Sequence, residues 1–131
     1  MPRKRPSRLR TVAARPATRA IPGVPLATTR ALDRLDRPEI SSLRVIQALE
    51  TCQRTASLPA ATLSAPYNDW TELIGPMARD ELERALRALP TRQAAALRVL
   101  VARADAAFRV KTLNNPRADP SQPWWARRWS H

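Results

Sequence analysis

Asp80-Glu81-Leu82-Glu83 places three carboxylates within four residues, Cys52 is the only thiol, and His131 is the only imidazole. Clustered acids can hold a metal or share a proton, a thiolate can attack a carbonyl, and an imidazole can shuttle protons at neutral pH. None of these is set up to act. His131 is the last residue, where nothing fixes its tautomer or position. Cys52 sits in an apolar helical stripe with no His or Lys beside it, as a small core residue would. The acids lie in the first turns of a helix, where the macrodipole favours them, and Asp80–Arg84 and Glu83–Arg87 have i,i+4 spacing. A lone cysteine excludes an internal disulfide and a cysteine-based zinc site. There is no Gly-rich phosphate loop and no G-x-S-x-G elbow. The residues therefore describe a non-enzymatic protein with no catalytic residues, metal or cofactor.

The other chemistry available is charge. The chain has 23 basic and 11 acidic residues, a net charge of +12. The excess is at the two ends. Residues 1–29 carry Arg3, Lys4, Arg5, Arg8, Arg10, Arg15 and Arg19 with no acid, while residues 30–90 carry eight basic and nine acidic groups. Residues 91–131 carry eight basic groups and two acids. Such an arm attracts phosphates, and each phosphate neutralised releases counterions, so binding is strong and salt-sensitive. Further along, Arg98 and Arg109 are eleven residues apart, nearly the same helical angle, as are Arg92 and Arg103 on the adjoining strip. Val99 and Val110 interrupt that basic strip, and Asp105 is the only acid near it.

The chain closes on Pro-Trp-Trp-Ala-Arg-Arg-Trp-Ser-His, three of its four tryptophans. If helical, Trp125 and Trp129 are i,i+4 neighbours with Trp124 about 100° away, flanked by Arg127 and Arg128. These rings suit docking on the helical core, a partner protein, a membrane interface or stacking on bases.

These side chains need a scaffold, and the composition selects helices. Two glycines and 13 prolines disfavour a turn-rich β protein, and Ala and Leu dominate the apolar residues. No apolar run approaches the roughly 18 residues of a membrane span, and no apolar h-region follows the basic start. The expected fold is all-α, a small three-helix core with a short extra helical turn. Residues 1–27 read as a disordered basic arm in which Ile21-Pro-Gly-Val-Pro-Leu26 is extended, 28–113 as the helical domain, and 114–131 as an extended tail rich in Pro, Trp and Arg. Helices are expected over 36–57, opened by Asp36-Arg-Pro-Glu39, over 76–89, and over 91–113, capped by Thr91, with a helical turn at 68–74. Their buried stripes are Val45, Ala48, Leu49, Cys52 and Ala56; Ala78, Leu82, Ala85, Leu86 and Leu89; and Leu97, Leu100, Val101, Ala104 and Phe108.

Residues 81–101, ELERALRALPTRQAAALRVLV, resemble the start of the DNA-binding region 4 of bacterial sigma factors, where a helix also ends in Leu-Pro and Arg-Gln opens an apolar helix. The likeness covers about 20 of 131 residues. It departs after Val101, where the same helix continues in place of a short turn and a recognition helix, so it implies no promoter-reading role.

Taken together, the residues point to a nucleic-acid-associated protein that contacts phosphate backbones of DNA or RNA without sequence preference. Its contacts would be the seven arm cations with Arg92, Arg98, Arg103 and Arg109, in the cytoplasm or at a nucleoid. The alternative is an adaptor or assembly subunit that binds protein, or itself, through the core and Trp124, Trp125, Arg127, Arg128 and Trp129. Attachment of that same tail to an anionic membrane surface ranks behind both.

Overall fold

A computed structural model describes residues 19–63 and 75–130, with the backbone alone for Trp129 and Ser130. Arg3, Lys4, Arg5, Arg8, Arg10 and Arg15, the turn expected at 68–74, and His131 lie outside the described residues. The fold is all-α. Its helices are α1 (Leu26–Arg34), α2 (Ser42–Ser57), a single turn α3 (Ala60–Leu63), α4 (Gly75–Ala88) and α5 (Thr91–Val110). Two short strands, β1 (Thr112–Asn114) and β2 (Arg128–Ser130), follow.

Helix α1 and the segment before it correct the expectation of an arm through residue 27. Ile21 is buried, and Val24 N donates to Ile21 O at 3.0 Å. Pro22 and Gly23, with φ +82° at Gly23, make this a type II turn where an extended segment was expected. Helix α1 escapes a count of apolar residues because its inward face includes Thr28 and Thr29 beside Ala31 and Leu32. Both hydroxyls are satisfied: Thr28 Oγ1 donates to Gln93 O at 2.7 Å and Thr29 Oγ1 to Leu26 O at 2.9 Å. A buried, hydrogen-bonded threonine packs like a valine but reads as polar in sequence.

Asp36, expected to open a helix, instead follows the end of one. It stands just past α1 with φ +54°, the left-handed conformation that commonly closes helices. A 3-10 turn, Pro38–Ile40, then inserts Ile40 fully into the core. Helix α2 starts at Ser42, with Ser41 as its cap. The Asp33 carboxylate reinforces that start by accepting from Ser42 N at 2.8 Å and Ser42 Oγ at 2.9 Å.

The α2, α4 and α5 stripes meet in one apolar core that includes Leu49, Leu82, Leu86, Leu97 and Val101, with Leu32 of α1 added from the side. Every residue expected in the α4 stripe is buried, and Cys52, Leu100 and Phe108 are half-buried at the margins of theirs. Helices α1 and α5 are preceded by Pro25 and Pro90, each with ψ near 145° and no side-chain cap bond, so Thr91 is the first helical residue rather than the cap. Helix α5 stops at Val110, short of the expected 113. Thr112 Oγ1 turns back to Phe108 O at 2.9 Å, and the chain continues as β1, antiparallel to β2 with Leu113 opposite Trp129. The tail is thus paired rather than merely extended.

Candidate nucleic-acid interface

Helix α5 carries Arg92, Arg98, Arg103 and Arg109 with all four exposed. Val99 is 49% and Val110 80% exposed on the same helix. None of the four arginines forms an ion pair among the described residues. The reason lies elsewhere in the fold. Asp105, the only acid of α5, is bound bidentately by Arg79, with Arg79 Nε to Oδ1 at 2.9 Å and Nη2 to Oδ2 at 3.1 Å. The α4 acids are also occupied: Glu83 accepts from Arg79 Nη1 at 3.0 Å, Glu81 from Arg44 at 2.7 Å, and Asp80 from Trp125 Nε1 at 2.7 Å. Asp80 therefore does not make the expected pair with Arg84. Internal pairing uses the acids and leaves the α5 surface cationic.

Arg19 is exposed and enters the fold at the start of α2, its backbone N donating to Ser42 Oγ at 3.2 Å. A few residues on, Gly23 lies beside Leu100 of α5.

The closing segment is not a helix through Trp129. Trp124–Arg127 form one 3-10 turn and Arg128 begins β2, so Trp125 and Trp129 are not i,i+4 neighbours. Trp124 and Trp125 meet edge to face at 5.8 Å. Each ring carries a guanidinium, Arg109 at 3.8 Å from Trp124 and Arg79 at 4.2 Å from Trp125. The two rings dock on α4 and α5 through cations and a carboxylate.

Arg79 is the least exposed cation described, at 8%. Burial pulls its pKa down, but the hydrogen bonds and charge of Asp105, then Glu83, outweigh this and leave it raised. Sequence spacing offers Glu83 as its i,i+4 partner; Asp105, 26 residues away, is visible only in the fold. Cys52 lies nearby, and burial pushes its thiol up to about 12 against the opposing charge of Arg79. It is protonated at neutral pH, which suits a core residue and not a nucleophile. Cys52, Arg79, Asp105, Phe108 and Trp125 border a cavity of about 30 Å³, room for one water. Among the described residues no group of three or more His, Cys, Asp or Glu could hold a metal ion.

Two other cations close helix ends. Lys111 Nζ donates to Ala56 O at 2.6 Å and Leu58 O at 2.8 Å, at the end of α2. Arg128 donates to Arg109 O at 3.0 Å, Thr112 O at 2.7 Å and Thr112 Oγ1 at 3.0 Å, at the end of α5. Helix ends leave carbonyls without partners, and glycine usually supplies the closing turn. With two glycines in the chain, neither at these ends, side-chain cations take over that task. Arg128 is thereby tied to the fold. Arg127 keeps a backbone role, its carbonyl accepting from Asn115 N at 2.7 Å.

Among the described residues no helix is long and apolar enough to cross a membrane. No protein-family model, no curated protein and no solved structure matches this chain.

Proposed function

We propose that this protein binds the phosphate backbone of nucleic acids without catalysis, using the exposed arginines of α5 together with the basic residues that precede α1. The observation that supports this is that Arg92, Arg98 and Arg103 are exposed and free of ion pairs among the described residues, while the neighbouring acids are engaged inside the fold. A solvated helix face of a protein with balanced charge would carry its own carboxylates. In this reading a ligand provides them, and phosphate is the counter-charge that guanidinium groups match best. Arg98 makes one weak contact, 3.5 Å to Leu86 O, and keeps its other donors. Recognition is by charge, without base reading, in a cytoplasmic or nucleoid setting.

The protein-adaptor reading uses the helical core and the terminal tryptophans. Two of them hold cations of their own chain, which favours the nucleic-acid reading over a partner gripped by these rings.

The test is binding of a labelled random DNA duplex by the full chain across a salt series. The wild type should show a steep linear fall of log affinity with log salt. Arg92→Ala, Arg98→Ala and Arg103→Ala combined should flatten that slope by about 3, near one per lost phosphate contact. A wild-type affinity that is weak and indifferent to salt rejects the proposal.

A further inference from the structure

Arg79 and Arg109 are held alike and left in opposite states. Both lie on an indole ring, at 4.2 Å and 3.8 Å from its centroid. The donors of Arg79 are taken by Asp105 and Glu83. Arg109 is exposed, and among the described residues its side chain donates to no acceptor and pairs with no carboxylate. A guanidinium against a ring face keeps its N–H bonds in its own plane, aimed past the ring at solvent. The stack fixes that plane beforehand, so little freedom is lost when an anion arrives.

One more guanidinium group stands at the same end of α5. Arg128 is pinned by the carbonyls of Arg109 and Thr112. Burial and then the charge of Arg109 lower its pKa. The nearby acids are engaged elsewhere, Asp80 with Trp125, Asp105 with Arg79 and Asp119 with Ser121.

We infer that Arg109, set on the Trp124 platform beside the fixed charge of Arg128, forms a receiving site for one backbone phosphodiester of a nucleic acid. The inference rests on the proposed function and adds where the strand is held: at the C-terminal end of α5, on the strip that Arg109 shares with Arg98. Trp124 serves the site by orienting Arg109 and does not stack on bases.

The experiment uses the full chain, with duplex binding across a salt series and tryptophan emission followed on titration with inorganic pyrophosphate. Wild type should show a saturable emission change with both probes. Arg109→Gln should remove the pyrophosphate response and lower the salt slope by about 1. Arg109→Lys keeps the charge but not the planar fork. It should retain the slope while binding several-fold more weakly, a split that general loss of fold would not produce. The site is overturned if wild type shows no pyrophosphate response and Arg109→Gln binds duplex like wild type, even while the triple α5 variant loses affinity. If no form binds duplex but pyrophosphate still saturates an Arg109-dependent site, the nucleic-acid source is overturned and the ligand is a free phosphate compound.

Discussion

Trp125 Nε1 donates to the Asp80 carboxylate at 2.7 Å, a bond between the chain's tail and the second turn of α4, 45 positions apart. It turns an acid that would otherwise face solvent into an anchor for the tail. Trp125→Phe keeps a ring beneath Arg79 but deletes the donor. A hydrogen bond to a charged group contributes roughly 1.5–3 kcal/mol, less where water competes, so a loss of about 1–2 kcal/mol is expected. Urea unfolding followed by circular dichroism measures it. An Asp80→Asn variant, which keeps an acceptor, should lose less.

The Arg79–Asp105 pair should be the most sensitive polar contact in the core. Asp105→Asn leaves Arg79, a residue 8% exposed, with only Glu83 as a charged partner. Breaking a buried pair from one side costs about 3–5 kcal/mol, and the flank open to the cavity places this one near the lower figure. Thermal unfolding should register the drop. A change below about 0.5 kcal/mol, the usual range for surface substitutions, would show that the pair is effectively solvated.

Lys111 reaches across to close α2 at Ala56 O and Leu58 O. Lys111→Met retains the aliphatic stem and removes the charge from the C-terminal end of the helix dipole. A loss of about 1–2 kcal/mol is expected, with hydrogen exchange accelerated first in the last turn of α2. Uniform acceleration across all helices would contradict a local capping role.

Cys52 makes alkaline stability predictable in sign. Its thiol stays protonated in the fold up to about 12, against a reference value of 9.0. Between these values the unfolded chain has lost a proton that the native chain keeps, so stability falls as pH rises through this window. Below about 9 both states are protonated and the group contributes nothing. The slope from this residue approaches about 1.4 kcal/mol per pH unit. Urea unfolding at a series of alkaline pH values should show a shallower decline in Cys52→Ala than in wild type. A thiol-reactive disulfide reagent at pH 8 should react slowly with native protein and quickly in urea.

The amino-acid sequence by itself determined the helical class, the stripes of α2, α4 and α5, and the concentration of positive charge outside the middle of the chain. These follow from periodicity, from the scarcity of glycine and from residue counts, all local properties. Helix α1 stayed hidden because Thr28 and Thr29 act as core residues only once Gln93 and Leu26 provide acceptors. Asp36 looked like the start of a helix because the same short polar residues that cap one helix also adopt the left-handed turn that ends another. The partners of Arg79, Lys111, Arg128 and Trp125 were invisible for a plainer reason. Apart from Glu83, the i,i+4 partner of Arg79, each lies 16 to 55 positions away, and no spacing rule reaches that far. Tertiary structure alone decided which charges are consumed and which are left. It gave the acids to Arg79, Arg44 and Trp125, set Arg128 and Lys111 on helix ends, and left the α5 arginines facing outward. The physical reason is competition for a limited supply of carboxylates and carbonyls, which is settled by distance in the folded chain and not by order in the sequence.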